Sequence, residues 1–413
     1  MVNKNYKWFL LACLFVTIFL VQGTRQLYSA VLPQIKLEFA GLGISDAQFG
    51  SVSSFFSMTL GALVLFSGLA SDFLGRKRVL VAGTLLFSCG IFLSGFAGGI
   101  TSLIIFYGVL NAAGQCCVAP AGYALISSYH IKTRAIAMAI LQSAVYAGVI
   151  LSSLFGGKVS ELGDGIWRYA FWIMGVVGIV WAVLMALGVK DEDATIKKDV
   201  YADKPSIRDA FFAMLKKPTA VLIAFAFGCF MYVRLGLFLW IIVFMIKQFG
   251  VGRADAALHG VLWINVGSLI TCLGVAKIVD YIVSYRPSIR IETAALGLLL
   301  SIGPMLWIAK SGSYVSCCTA LFVLGLTLGV YEAANYAAMY DCIAPRYRSV
   351  ATGITGCIAF LLASPSPTIL GWMGEHLSPR MGFATLALFY VVGMILLATA
   401  RLFFFNRDRI KTE

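Results

Sequence analysis

Two arginines and one glutamate stand deep inside long apolar stretches of this sequence, where an ionised group is costly to place. Arg25 lies in FLVQGTRQLYSAVLPQIKLEF, well before Pro33, and Arg234 lies in FGCFMYVRLGLFLW. A charge at the centre of an apolar membrane helix costs at least ~2.5–3.5 kcal/mol on insertion scales, so each must face a cavity or a partner. A guanidinium is a planar fork matched to the paired oxygens of a carboxylate or a phosphoryl group. Two such forks at corresponding depths therefore call for a small organic anion as ligand. Glu332, in LGVYEAANYAAM, is the one carboxylate deep in any apolar stretch; the other acids sit in loops or near the ends of the runs. An ionised carboxylate in such a place must be paired or else hold a proton. Glu332 is accordingly either the salt-bridge partner of an arginine or a proton carrier.

The composition says what kind of frame holds these groups. Of 413 residues, 60% are hydrophobic and 12% charged, with a mean hydropathy of +0.89. Soluble domains run at about half apolar and about a quarter charged, so a water-soluble enzyme is excluded. About 20 apolar residues make one membrane-crossing helix. The apolar runs fall at 8–36, 46–71, 78–97, 100–129, 133–160 and 167–189, then at 218–248, 254–284, 290–310, 312–341, 346–376 and 380–405. The expected fold is an all-α membrane protein of twelve transmembrane helices in two six-helix bundles, 1–189 and 218–413. Residues 190–217, the only strongly charged stretch, form a linker in which Ser206 is expected to cap a short amphipathic helix with Phe211, Phe212 and Leu215 toward lipid. The first run is too long and undivided for a cleaved signal peptide. Pro365 and Pro367 should kink or break the eleventh run.

Several functions drop out at this point. The ten cysteines and three histidines show neither metal-ligand spacing nor a disulfide framework, so the cysteines read as small packing residues and neither metal nor cofactor is expected. There is no GxxxxGK[ST] loop, hence no ATP-driven step. The net charge of +13 is spread over short loops, which is a topology signal and leaves no nucleic-acid partner. With both termini on one face, Lys and Arg favour that face by about three to one, which makes it the cytoplasmic side of the inner membrane.

The halves also repeat. SDAQFGSVSS opening the second run echoes ADAALHGVLW opening the eighth, KTRAIAMAI at 132–140 echoes RYRSVATGI at 346–354, and Arg25 has its counterpart in Arg234. Parallel repeats of this kind make the bundles pseudo-symmetric and place a substrate site between them near mid-membrane, with access alternating by rocking.

The loop after the second run reads Gly68-Leu-Ala-Ser-Asp72-Phe-Leu-Gly75-Arg76-Lys77-Arg78. This resembles the G-x-x-x-D-x-x-G-R-[KR] signature of the major facilitator superfamily. The resemblance implies the major facilitator fold and makes Gly68, Asp72, Gly75, Arg76 and Lys77 a conformational-switch loop. The second copy is eroded: Ala276 stands where the glycine belongs, followed by Asp280 without Gly-Arg. Two patches around the arginines resemble the organophosphate:phosphate antiporters more narrowly. These are R-x-x-aromatic-x4-P at Arg25, Tyr28 and Pro33, and Y-x-R-x-G-x3-W at Tyr232, Arg234, Gly236 and Trp240; Gln115, Pro120 and Tyr123 resemble that family's fourth helix. The resemblance implies that Arg25 and Arg234 bind the anionic group. Val145 occupies the place of a fifth-helix histidine in those antiporters. The anion:cation symporters also resemble this chain, through Thr24-Arg25, IWRYAF at 166–171 and DCIAPRYRS at 341–349.

Tyr28, Gln115, Tyr123, Gln142, Tyr146, Asn265, Tyr331 and Asn335 are polar groups at membrane depth, candidates for the non-anionic part of a substrate or for interhelical hydrogen bonds. The expected function is secondary transport of a small organic anion by a lipid-embedded monomer. Sugar phosphate or another organophosphate is favoured, exchanged for phosphate or carried with a proton. A proton-coupled symporter of a carboxylate sugar acid and a transporter-like sugar-phosphate sensor are the alternatives. The charge asymmetry makes a direct prediction. In a cysteine-free background, a cysteine at Ala202 should resist an impermeant maleimide in intact cells and react once the membrane is opened. Labelling from outside would invert the topology.

Overall fold

Among the described residues, twelve helices are long and apolar enough to cross a membrane. The computed structural model describes residues 4–130, 133–163, 165–190 and 207–410, and every regular element among them is helical. The first three spans are Lys4–Glu38, Asp46–Leu74 and Arg76–Ser94. The fourth joins Ile100–Leu103, a π-helical stretch Ile104–Asn111 and Ala112–Tyr129; the fifth and sixth are Arg134–Glu161 and Trp167–Gly188. The seventh to tenth are Pro218–Phe249, Arg253–Ile282, Ile289–Lys310 and Tyr314–Tyr340. The eleventh is split into Arg348–Ala363 and Ser366–His376, and the twelfth runs from Pro379–Thr399 on to Asp408. Each coincides with an apolar run to within a few residues.

The chain forms two compact units. One holds the first six spans except residues 45–50, together with 251–258; the other holds the remainder of the last six with 45–50. In the first unit the main helix pairings are first with fifth, third with sixth and third with fourth. In the second they are seventh with eleventh, ninth with twelfth and ninth with tenth, the same pattern advanced by six, with seventh against twelfth in addition. The repeat seen in the sequence is thus a repeat in packing.

Lipid tails are as apolar as leucine, so the hydrophobic effect does not drive these helices together; close van der Waals packing does. Small residues make that packing possible. A β-carbon on Gly325 would lie 2.3 Å from the Ile264 carbonyl oxygen, and one on Gly329 would lie 2.5 Å from that of Ser268. The eighth and tenth spans therefore touch backbone to backbone along a glycine-bearing face. In the first unit a β-carbon on Gly114 would lie 2.2 Å from the Phe87 nitrogen, so the third and fourth spans meet in the same way. Outward-facing Phe73, Leu187, Leu273 and Leu402 stay exposed, as a surface that lipid covers requires.

Local breaks fall where residue chemistry demands them. Gly75 has φ +91° between the second and third spans, a conformation that a β-carbon disfavours, and nothing else separates Leu74 from Arg76. The eleventh helix ends at Ala363 and restarts at Ser366, around Pro365. The linker helix Ile207–Leu215 carries Phe211, Phe212 and Leu215 on exposed positions. Its Ser206 cap lies outside the described residues, as do the side chain of Asp72, the surroundings of Gly68 and both chain termini. Arg76 is buried and Lys77 half-buried at the start of the third span.

The glycine seam carries a test. Gly325→Ala drives a methyl into backbone and is expected to cost about 1–3 kcal/mol, lowering the Tm in detergent. Gly303→Ala, with nothing within 4 Å of the new carbon, should leave the Tm unchanged. Equal effects of the two would mean that the seam is not close-packed.

Candidate anion-binding residues

In the first unit the first span presents Arg25 to the fourth. Gln115 is the residue that holds it. Its Oε1 accepts from Arg25 Nε at 2.6 Å, and its Nε2 donates to Thr24 Oγ1 at 3.0 Å and to Asn111 Oδ1 at 2.9 Å. Both N–H donors and the oxygen of the carboxamide are thus engaged, which fixes the orientation of the guanidinium. Tyr107 donates its hydroxyl to the Arg25 carbonyl at 2.9 Å, while its ring lies 5.0 Å from Tyr28 and 5.3 Å from Phe56. Phe56 also lies under the guanidinium, 5.7 Å from Cζ to ring centre. Tyr107 and Asn111 both belong to the π-helical stretch, where the wider turn changes which side chains share a face.

The second unit repeats this construction with one change of chemistry. Arg234, on the seventh span, donates from Nη1 to Glu332 Oε1 on the tenth span at 2.7 Å. Ser268, on the eighth, donates its hydroxyl to Glu332 Oε2. Both carboxylate oxygens therefore have a donor, each from a different helix. Phe238 and Phe230 flank the guanidinium at 5.1 and 6.0 Å. The two charged side chains are 25% and 22% exposed, so an incoming solute can reach the pair. A carboxamide on the fourth span thus does for Arg25 what a carboxylate on the tenth does for Arg234.

The other named residues divide by accessibility. Tyr123 and Gln142 are exposed and Tyr146 is half-buried. Tyr28 is fully enclosed. Tyr232 is buried with its ring stacked 3.6 Å from Phe389, and its carbonyl accepts from Ser366 Oγ at 2.6 Å. Trp240 is buried and donates Nε1 to the Pro367 carbonyl at 2.8 Å, so both tie the seventh span to the broken eleventh. Asn265 donates to the Val261 carbonyl, and Tyr331 to Asn335. His259 accepts from Trp263 Nε1 at 2.9 Å. The ten cysteines are free thiols, and among the described residues no group of three or more His, Cys, Asp or Glu is arranged to hold a metal.

Sequence reasoning missed Tyr107, Phe56, Phe238 and Ser268. The aromatic ones look like any lipid-facing ring, and Ser268 looks like any small residue of a membrane helix. One signal was there to be used: Ser268 lies five residues after the ADAALHGVLW echo, on a helix that faces the glycine-spaced tenth span.

The family model for the Major Facilitator Superfamily matches residues 14–367. The chain belongs to this superfamily. It is a multi-pass membrane protein of a transporter family, not an enzyme. The uncharacterized MFS-type transporter EfpA of Mycobacterium tuberculosis is 28% identical over 39% of this chain, and the match spans only 29% of EfpA. A probable sulfoacetate transporter, SauU of Cupriavidus necator, is 24% identical over 84% of this chain and 83% of its own length. Among solved structures, a bacterial homologue of the human lysosomal transporter Spinster superposes with a TM-score of 0.85 at 18% identity, covering 100% of both chains.

The Arg234–Glu332 pair predicts an asymmetric response to two substitutions. Glu332→Gln keeps an acceptor of the same shape, the arrangement Arg25 already has with Gln115, and should lower the Tm in detergent only slightly. Glu332→Leu leaves the guanidinium without this acceptor. Breaking a fully buried pair costs about 3–5 kcal/mol, and partial exposure here brings the expected loss below that range while keeping it well above that of the Gln variant. Equal losses would show that the pair does not hold these helices.

Proposed function

We propose that this chain is a secondary transporter that carries a small organic anion by alternating access, with Arg25 and Arg234 both ligating the anionic group during the cycle. The observation that carries the reading is the pair of membrane-depth guanidiniums, each oriented by a side-chain acceptor on a neighbouring helix. Neither arginine is needed to hold a helix start or a loop. Each is kept in a defined direction within apolar, aromatic surroundings, where an anion's attraction is least screened.

Proton symport is favoured as the coupling mode. With Arg234 bonded to Glu332, an arriving anion competes with the carboxylate for the same fork, and protonation of Glu332 removes the competitor. The inner membrane with both termini cytoplasmic remains the proposed setting, and phosphate exchange the alternative coupling.

For the body of the substrate, two observations favour a compact carboxylate or sulfonate over a sugar phosphate. Gln115 spends its entire carboxamide on Arg25, Thr24 and Asn111, and the rings of Phe56, Phe230 and Phe238 lie close to the guanidiniums. A polyhydroxylated sugar needs many hydrogen-bonding partners, and the residues against the two guanidiniums are mostly aromatic or already engaged. The sulfoacetate named for SauU is an anion of the favoured size.

Reconstituted protein tests this directly. Counterflow with sulfoacetate, a simple aromatic carboxylate, a hexuronate and a hexose phosphate should rank the first two above the last two. Binding without counterflow of any of them would mark a sensor. Arg25→Lys and Arg234→Lys should each weaken apparent affinity severely, because an ammonium cannot reproduce the bidentate fork, and removing either charge altogether should cost about 2–5 kcal/mol. Near wild-type affinity in both would place the site elsewhere. Glu332→Gln should retain counterflow and lose accumulation driven by a pH gradient.

A further inference from the structure

We infer that Ser268 is a positioning residue that sets the pH at which Glu332 takes up its proton, and through it whether an anion enters with a proton or without one. This rests on the reading of Glu332 as the coupling group.

The geometry points to Ser268 in three ways. The Ser268 hydroxyl donates to Glu332 Oε2, while Arg234 occupies Oε1, so each oxygen of the carboxylate has its own donor on its own helix. Gly329 lies three residues before Glu332, on its helix, and a β-carbon there would stand 2.5 Å from the Ser268 carbonyl oxygen. That close approach of the eighth and tenth backbones holds the hydroxyl at the carboxylate. Lastly, the two donors differ in what a substrate can do to them. An anion competes for Arg234 because a guanidinium is an anion receptor, whereas a serine hydroxyl already donating to Glu332 has little to offer it.

Once an anion draws Arg234 away, Ser268 is the donor that remains, and its bond favours the charged form of the carboxyl. Together with Arg234 it keeps the carboxyl ionised while the site is empty, and it is the loss of Arg234 to an anion that then favours proton uptake. Without Ser268, Glu332 would hold its proton over a wider pH range before any anion arrived. Arg234 would then be released early, and anion entry would no longer demand a proton.

The other ionisable groups around Glu332 are few. Cys272, one turn beyond Ser268 on the eighth span, Tyr331 next to Glu332 itself, and Tyr390 on the twelfth interact with it electrostatically, and Tyr390 also faces Arg234. The ninth span packs on the tenth, and its only charged residues are Arg290, Glu292 and Lys310 near its ends. None of these donates to Oε2, which leaves that role to Ser268.

A hydrophobic carbodiimide reports the protonation directly. The protonated carboxyl adds its O–H across one C=N bond of the carbodiimide, and the O-acylisourea so formed rearranges to a stable N-acylurea on the side chain. The extent of labelling at Glu332, read by peptide mass spectrometry against pH, therefore gives a midpoint without any transported substrate. Ser268→Ala should move that midpoint upward by about one pH unit, the lower end of what a hydrogen bond to a charged group gives, because the site is partly exposed. Ser268→Thr, which keeps the hydroxyl, should restore the wild-type midpoint. Proton-dependent accumulation in vesicles should fall in the Ala variant, with counterflow retained. An unchanged midpoint in Ser268→Ala, or an equal shift in Ser268→Thr, overturns the inference while leaving Glu332 as a proton carrier. If wild-type Glu332 resists labelling from mildly acidic to mildly alkaline pH, it never takes a proton, and the coupling role fails along with the inference.

Discussion

A guanidinium in the middle of an apolar helix must be given acceptors by its neighbours, and much of this structure follows from meeting that demand twice. Leaving such a charge without a partner in hydrocarbon costs several times thermal energy, so the helices that face it cannot be chosen freely. Around Arg25 the requirement fixes Gln115, and Gln115 in turn fixes Thr24 and Asn111. Around Arg234 it fixes Glu332, and Glu332 fixes Ser268. A partner reached across two helices must also be reached at hydrogen-bond distance. The packing of the spans is therefore subordinate to the placing of a few polar atoms.

Glycine seams are how that placing is achieved. A serine side chain is short, so Ser268 reaches Glu332 only where the eighth and tenth backbones touch, and Gly325 and Gly329 allow the contact. In the first unit Gly114 immediately precedes Gln115, and its lack of a side chain lets the fourth span lie against the third at Phe87. The π-helical stretch just before adds the second adjustment by changing the rotation of Tyr107 and Asn111 relative to the following helix. Irregular helix geometry and small residues thus bring the polar partners of both arginines within reach.

These features explain what was legible in advance. Twelve apolar runs translate directly into spans because lipid sets a minimum apolar length for every helix that crosses it. Gly75 and Pro365 could be read as breaks because their backbone preferences are intrinsic. Arg25, Arg234 and Glu332 stood out because an ionisable residue in hydrocarbon is expensive wherever it points. The identity of their partners was harder to read. Gln115 was visible as a polar residue, but its complete engagement by Arg25, Thr24 and Asn111 is a tertiary fact. Tyr28 and Trp240 carry the same signals as a substrate ligand, yet one is enclosed and the other is bonded to Pro367. Hydrophobic periodicity cannot distinguish a ring that faces a guanidinium from one that faces lipid, which is why Phe56 and Phe238 escaped notice.

The repeat is most informative at the point where it is imperfect. Gln115 and Glu332 occupy the fourth helix of their respective units, and each accepts a hydrogen bond from the arginine of that unit's first helix. Their side chains have the same reach and nearly the same shape, so the exchange of an amide for a carboxylate leaves packing almost untouched. Its electrostatic consequence is large: the amide orients Arg25 without opposing an anion, whereas the carboxylate orients Arg234 and competes with one. The amide has no proton to accept near neutral pH, whereas the carboxylate can change its charge. On the proposed reading the two positions would take different duties, Gln115 keeping Arg25 available to an anion and Glu332 making the availability of Arg234 conditional.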